Sequence, residues 1–232
     1  DEGFTDFNKA VPTADLIILA TPVLTIIDLL PQIGKIARKG TVITDLGSTK
    51  EEILRVMDDL PSTVEAIGGH PICGKFEAGI RYADAELFRK KTFVLSHSIR
   101  TTPKTIELLK EMISAIDAVP ITLSATNHDR YVSVSSHLPR VLPLALLALI
   151  KNQNDDIWNL TGGNFKNMTS LSTNNSNMWL DILLTNKHHL TNSLQNLCEE
   201  LVKIVNLIES SDEQTIYKTL VQASEEWEKH FS

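Results

Sequence analysis

The sequence predicts an α/β domain followed by an all-helical domain, with the change near residue 123. Residues 1–123 alternate short apolar runs with helical patterns, whereas only helical periodicity continues from Ser124 onward. Leu16–Ala20 is apolar throughout, as expected of a strand buried on both faces of a parallel sheet. We therefore predict a parallel-sheet domain over residues 1–123 and a helical domain over residues 124–232.

Within the first domain the apolar runs and turn signals predict strands and helices in alternation. The predicted strands are Leu16–Ala20, Thr41–Asp45, Val64–Ile67, Phe93–Leu95 and Val119–Leu123. The predicted helices run from Leu24 to Ala37, from Gly47-Ser48 to Leu60, and from Pro103 with Thr102 as its cap. Pro120 indicates that the last strand lies at an edge. The helical domain should contain helices over His128–Lys151, Asn177–Glu209 and Asp212–His230.

Composition and charge exclude several classes of function. With 232 residues, 42% apolar and a net charge of −7, the chain lacks the basic patch that a nucleic-acid surface needs. Any site for an anionic substrate must concentrate cations locally. Cys73 and Cys198 have no disulfide or metal-ligand spacing, and Val141–Ile150 is about half of a membrane span, so we expect a cytoplasmic protein without a metal site.

Polar or glycine-rich turns follow three consecutive predicted strands. Ligands gather at the carboxyl ends of such strands, so these turns should form one site. The turns are Ala20-Thr21-Pro22-Val23, Asp45-Leu46-Gly47-Ser48-Thr49-Lys50 and Gly68-Gly69-His70-Pro71-Ile72-Cys73-Gly74.

Several motifs, in this order and spacing, resemble the prephenate/arogenate dehydrogenase family. The match covers nearly the whole chain. The motifs are Asp45-x-Gly47-Ser48-x-Lys50, Gly68-Gly69-His70-Pro71-x-x-Gly74, Ala83-Asp84-x-x-Leu87-Phe88, His128-Asp129, Ser136-His137-Leu138-Pro139, Gly162-Gly163-Asn164-Phe165-Lys166 and Met178-Trp179. The resemblance implies a Rossmann-type domain that binds NAD or NADP, followed by a helical dimerisation domain. It also implies oxidation of prephenate or arogenate at the ring hydroxyl carbon, with loss of carbon dioxide.

This reaction needs a base at the substrate hydroxyl, and an imidazole suits that task near neutral pH. We predict that His70, on a Gly-Gly turn, is the base, and that Ser48 and His137 are further catalytic residues. The alternatives are that His70-Pro71 only ends a strand, and that Ser48 forms a capping box with Glu51. Lys50 would contact an anion or face solvent.

Thr21, Pro22, Gly47 and Ser48 are the predicted cofactor-binding residues. The chain contains no G-x-G-x-x-G turn, so we interpret it as a fragment that lacks the phosphate-binding beginning of the fold. The resulting alternative function is a non-catalytic dimeric binding or regulatory relative. A weaker alternative is another hydroxyacid dehydrogenase.

The family's substrate arginine is missing: Thr169-Ser170-Leu171-Ser172 stands where the family has Thr-Arg-Ile-Ala. Three unusual cations are predicted to bind the substrate carboxylates instead: Arg140 first, then Lys75 and Lys166. Spacing on a continuous helix predicts that His128 faces away from His137 and supports the domain junction with Asp129. The apolar helix Val141–Ile150 either forms a homodimer or is buried within one chain.

Overall fold

A five-stranded sheet positions the residues of the predicted site. The computed structural model describes residues 2–75, 79–173 and 176–232. Five strands follow one another across the sheet in chain order. They are β1 (Leu16–Leu19), β2 (Val42–Asp45), β3 (Glu65–Pro71), β4 (Thr92–His97) and β5 (Val119–Thr122).

Strand directions agree with the predicted parallel sheet except at one pair. β1, β2 and β3 are parallel, and β5 is parallel to β4, but β4 runs antiparallel to β3 with Gly69 opposite Leu95. The predicted parallel-sheet domain is confirmed, with three of the four strand pairs parallel, and β3–β4 is the pair that departs from it. The chain between β3 and β4 has only the short 3₁₀ turns Ile80–Tyr82 and Ala85–Phe88 among its described residues, whereas a parallel return needs a full crossover. The predicted edge position of β5 is confirmed.

Helices cover both faces of the sheet. They are α1 (Phe7–Ala10), α2 (Val23–Ile36), α3 (Glu51–Asp58) and α4 (Pro103–Ala115), and a 3₁₀ turn covers Val11–Thr13. Because side chains alternate along a strand, Ile43 packs in the core with α2 and α3, whereas Val42 packs in the core with α4. Thr102 caps α4 as predicted, since its side chain accepts from the backbone N–H of Thr105.

The Gly68-Gly69 pair lies within β3 and does not form the predicted turn, because the strand continues to Pro71. Both glycines allow close approach, as the sequence suggested. A Cβ on Gly69 would stand 2.5 Å from the carbonyl oxygen of Asp45, and one on Gly68 would stand 2.4 Å from a methyl group of Leu54. The tight packing of β3 on β2 and α3 fixes the direction in which His70 leaves the strand.

Beyond β5 the described chain is helical. It contains α5 (Ala125–Val132), a π-helical turn (Ser133–His137), α6 (Leu138–Lys151), α7 (Gly163–Thr169), α8 (Ser176–Thr185), α9 (Lys187–Glu209) and α10 (Glu213–Phe231), with 3₁₀ turns at Asp155–Leu160 and Ser170–Thr173. The predicted boundary at residue 123 falls between β5 and α5, although residues up to Leu190 form one compact unit. Thr191–Ser232 forms a second unit, made of the rest of α9 and of α10.

The helical run Ala125–Lys151 is long and apolar enough to cross a membrane, by length and composition alone. The apolar run Val141–Ile150 seen in the sequence is only part of this helical run, because α5, the π turn and α6 are continuous. Only 22% of its most apolar window is buried, and Leu144 and Leu149 are more than half exposed. Burial within this chain therefore leaves much of the apolar face uncovered.

Candidate active site

A cavity of about 730 Å³ lies between the sheet, at the carboxyl ends of β2 and β3, and a helical wall formed by α5, the π-helical turn and α8. Ser48, His70, Lys75 and His137 line it together, which brings four of the predicted site residues into one wall. Its size is within the range typical of sites for small ligands. The rest of the wall is mainly apolar and includes Ile72, Val94, Ile121, Leu123, Val132, Leu171, Met178 and Ile182.

His70 lies near the end of β3, lines this cavity and contacts a second histidine. Its Nδ1 lies 2.8 Å from Nε2 of His128, and Nδ1 of His128 lies 2.7 Å from Oδ1 of Asp129. Burial is the largest cause that lowers the pKa of His70 well below its ordinary value of 6.5, and the charges of His128, Lys50 and His137 lower it further. His70 is therefore a neutral imidazole at neutral pH, as a general base must be.

The expectation that His128 faces away from His137 is wrong, because the π-helical turn Ser133–His137 interrupts the helix between them. Nine residues of regular α-helix would separate the two side chains by about half a turn, but a π turn absorbs one extra residue and brings them to the same side. Both histidines line the cavity. The sequence contained His128-Asp129, but its apolar pattern gave no sign of the irregular turn.

Asp129 joins the helical segment to the sheet, as predicted for the junction. It is fully buried, and its carboxylate accepts the backbone N–H groups of Lys50 at 2.7 Å and Glu51 at 2.9 Å. These N–H groups lie at the beginning of α3, so Asp129 takes the capping role that a Ser48–Glu51 box would have had. The capping-box alternative for Ser48 is therefore wrong, because α3 begins at Glu51 with Lys50 before it. Ser48 lies instead in the cavity wall.

Lys50 neither faces solvent nor lines the cavity. Its side chain is fully buried and forms an ion pair with the equally buried Asp45. Asp45 also accepts the backbone N–H groups of Gly47 at 2.8 Å and Gly69 at 3.1 Å. This pair therefore ties the end of β2 to the beginning of α3 and to β3, next to Ser48 and His70 in the sequence.

His137 is buried and lines the same cavity. Its Nδ1 lies 3.0 Å from the amide nitrogen of Asn186, and its ring meets Trp179 edge to face with centroids 6.0 Å apart. The pKa of His137 is lowered to about 4, mainly because the ring is buried; Asp129 opposes this shift, and the charge of His128 adds to it. His137 is thus a neutral hydrogen-bonding group at neutral pH.

The three predicted substrate cations occupy different places. Lys75 is in the cavity wall and pairs with Asp84 at 2.7 Å. Arg140 lies outside the wall, with its guanidinium carbon 4.9 Å from the ring centroid of Trp179 and its Nη1 buried without a hydrogen-bond partner among the described residues. Lys166 is exposed on α7 and does not line the cavity, so its predicted role finds no support in the geometry.

The remaining predicted positions lie at the strand ends. Thr21 and Pro22 are exposed at the carboxyl end of β1, and Gly47 is buried next to Ser48. Ser170, where the family has an arginine, is exposed and donates its hydroxyl to the carbonyl of Asn167 at 2.8 Å. Leu171 enters the cavity wall instead. Position 170 therefore supplies no cation.

Comparison with known proteins gives the same family for both parts of the chain. Residues 1–122 match the nucleotide-binding domain of prephenate dehydrogenase, and residues 124–222 match its dimerization domain. The prephenate dehydrogenase of Bacillus subtilis is 28% identical over 224 residues, covering 94% of this chain and 60% of that protein. The prephenate dehydrogenase of Lactococcus lactis is 33% identical over 218 residues, covering 90% of this chain and 58% of that protein.

A solved structure agrees with these matches. Prephenate dehydrogenase from A. aeolicus, crystallised in complex with hydroxyphenyl propionate and NAD+, superposes with a TM-score of 0.87 at 27% identity, covering 97% of this chain and 80% of that one. The chain spans about three fifths of the length of the two curated relatives above. Both of its parts, and its fold, are those of one family. The chain belongs to the prephenate dehydrogenase family.

Proposed function

We propose that the protein containing this chain oxidises prephenate or arogenate with loss of carbon dioxide and transfer of hydride to NAD or NADP. The observation that carries the proposal is the cavity wall in which Ser48, His70 and His137 come together from three separate elements. In such a reaction hydride leaves the ring carbon only as the attached hydroxyl loses its proton. His70, neutral and partly open to the cavity, accepts that proton. Ser48 hydrogen-bonds the same hydroxyl or the nicotinamide amide.

The described residues fit the reacting end of a nicotinamide cofactor. Thr21 and Pro22 leave an open surface at the carboxyl end of β1, beside Gly47 and Ser48 at the end of β2, where α/β sheets bind such ligands. Bound NAD or NADP would supply the hydride acceptor there. No G-x-G-x-x-G turn stands in this sequence, so no residue is assigned to the pyrophosphate.

Lys75 is our first candidate for binding a substrate carboxylate, which reverses the order suggested by the sequence. Among the described residues that line the cavity it is the one lysine or arginine. Arg140 lies over the ring of Trp179 and outside the cavity wall, so it ranks second. Lys75 forms an ion pair with Asp84 in this structure, and a substrate carboxylate would compete with Asp84 for the ammonium group.

Replacing Lys75 by Ala in the full-length enzyme is expected to raise the substrate KM about tenfold with little change in kcat. One charge-assisted hydrogen bond contributes roughly 1.5–3 kcal/mol, and it is present before and during the reaction. Steady-state kinetics with Lys110→Ala, an exposed lysine on α4, provides the matched control. An unchanged KM in Lys75→Ala together with a tenfold rise in Arg140→Ala would return the anchoring role to Arg140.

The second copy of the chain is our proposed partner for the exposed apolar face of α6. Residues 124–222 match a dimerization domain, and Leu144 and Leu149 would otherwise face water. Sedimentation equilibrium of the full-length protein should give a dimer.

A spectrophotometric assay of the full-length protein tests the activity directly. Prephenate and arogenate are each combined with NAD and NADP, and reduced nicotinamide is followed by its absorbance. With at least one combination we expect reduced nicotinamide to form at a rate proportional to the enzyme concentration, with release of carbon dioxide. If no combination reacts while the protein is folded and dimeric, the non-catalytic binding relative becomes the better account.

A further inference from the structure

Two hydrogen-bond chains lead from Asp129 to His70 and His137, two histidines that line the cavity. One chain starts at its carboxylate and reaches His70 through His128. The other starts at its main-chain carbonyl and reaches His137 through Asn186. Asp129, His128, Asn186 and His137 are each at most 2% exposed, so protein groups alone determine these bonds.

The carboxylate chain determines which nitrogen of His70 carries hydrogen. Both oxygens of Asp129 already accept backbone N–H groups, so the carboxylate also acts as an acceptor toward Nδ1 of His128. In the neutral form of His128, Nδ1 then carries the hydrogen and Nε2 has the lone pair. Nδ1 of His70, 2.8 Å away, must donate to that lone pair. The free lone pair of His70 is therefore on Nε2.

The hydrogen-bond chain that starts at the main-chain carbonyl of Asp129 gives His137 the opposite tautomer. A carbonyl oxygen only accepts, so the atom of Asn186 that lies 2.8 Å from it is the NH₂ nitrogen. The same nitrogen lies 3.0 Å from Nδ1 of His137, so that nitrogen accepts the second N–H. The hydrogen of the neutral His137 ring is consequently on Nε2.

We propose that Asp129 is a positioning residue that sets the two cavity histidines to opposite tautomers, His70 as an acceptor and His137 as a donor. The substrate class that this arrangement recognises is an alcohol with a second oxygen: His70 takes the hydroxyl proton while His137 donates to an oxygen of the same molecule. The catalytic meaning rests on the proposed function, but the tautomers themselves do not.

The imidazole ¹⁵N resonances of the full-length, ligand-free protein test this inference without turnover. Protonated and unprotonated ring nitrogens resonate far apart, so two-bond ¹H–¹⁵N correlation near neutral pH identifies each tautomer. We expect Nδ1–H for His70 and Nε2–H for His137. The opposite tautomer in either ring would overturn the proposal.

Two single variants should distinguish the effects of the two hydrogen-bond chains. Asp129→Asn can offer its amide NH₂ to His128 but keeps the backbone carbonyl, so the His70 tautomer is expected to change or become mixed while His137 keeps its own. Asn186→Leu removes the donor to Nδ1 of His137, so the tautomer of His137 should change or become mixed while His70 keeps its own. A variant that alters both rings, or neither, would contradict the assignment. Resonances of His97, exposed on β4, serve as the internal reference.

A second pair of variants covers the case in which Asp129→Asn fails to fold. His128→Gln can keep an acceptor oxygen near the position of Nε2 and should preserve Nδ1–H of His70, whereas His128→Leu removes the acceptor and should not. Equal His70 spectra in the two would contradict the proposal.

Turnover then distinguishes failure of this inference from failure of the proposed function. In an active enzyme Asp129→Asn should lower kcat at an unchanged fold, by up to roughly 10⁴-fold, the loss that follows when the histidine of a catalytic triad takes the wrong tautomer. The predicted tautomers in a protein without dehydrogenase activity would support the positioning role and reject the proposed function alone.

Discussion

Replacing His70 by Asn is expected to lower kcat by roughly 10²–10⁴-fold, the range that a general base contributes. Asparagine keeps a similar volume and can still bond His128, but it cannot hold a proton from the substrate hydroxyl at neutral pH. Because the loss falls on the transition state, KM should change little. Rapid-quench or steady-state kinetics of the full-length enzyme measures both constants.

His97→Asn is the matched control for this variant. His97 lies on β4 of the same sheet and is exposed outside the cavity wall, so its replacement should leave kcat unchanged. A kcat for His70→Asn within about threefold of the wild type would contradict the assignment of His70 as the base.

Replacing Lys50 by Met is expected to lower the free energy of unfolding by about 3–5 kcal/mol, since it leaves the carboxylate of Asp45 buried without its cation. Both side chains are fully buried, and Asp45 keeps only the N–H groups of Gly47 and Gly69 as described partners. A loss of this size is a large fraction of the stability of a typical protein. Urea denaturation followed by circular dichroism measures it.

The double variant Asp45→Asn, Lys50→Met provides the decisive comparison. It removes both charges, and replacing a complete buried pair is often nearly neutral, so it should recover much of the lost stability. If the double variant is as unstable as Lys50→Met, the loss comes from packing of the lysine chain and the explanation by an unpaired carboxylate is wrong.

Most of the fold followed from local patterns, because each strand and helix has a period that the sequence displays. β1, β2 and β5 lie within one residue of their predicted beginnings, and Thr102 caps α4 as expected. The antiparallel direction of β4 was not predictable in this way. Strand direction depends on the path of the intervening chain, and the connection from β3 has no periodic pattern to read.

The site was predictable as a set of residues but only partly as a geometry. Ser48, His70, Lys75 and His137 were predicted and share one cavity. The burial of Lys50 was missed, because a first-turn lysine usually faces water and its partner Asp45 is five residues away on another element. The placement of His128 on the same side as His137 was missed because a π turn leaves no mark on the apolar pattern.

The pH dependence of kcat/KM, compared between the wild type and His70→Asn, tests the role of His70 most directly. The pKa of His70 lies well below 6.5 in the folded protein. Only the neutral ring can accept the hydroxyl proton, so activity is lost as the pH falls through that pKa and is constant above it. We predict a wild-type plateau near neutral pH with an acid limb below 6.5, and no such limb in His70→Asn. An acid limb that persists unchanged in His70→Asn, or a wild-type limb centred above 6.5, would contradict the account.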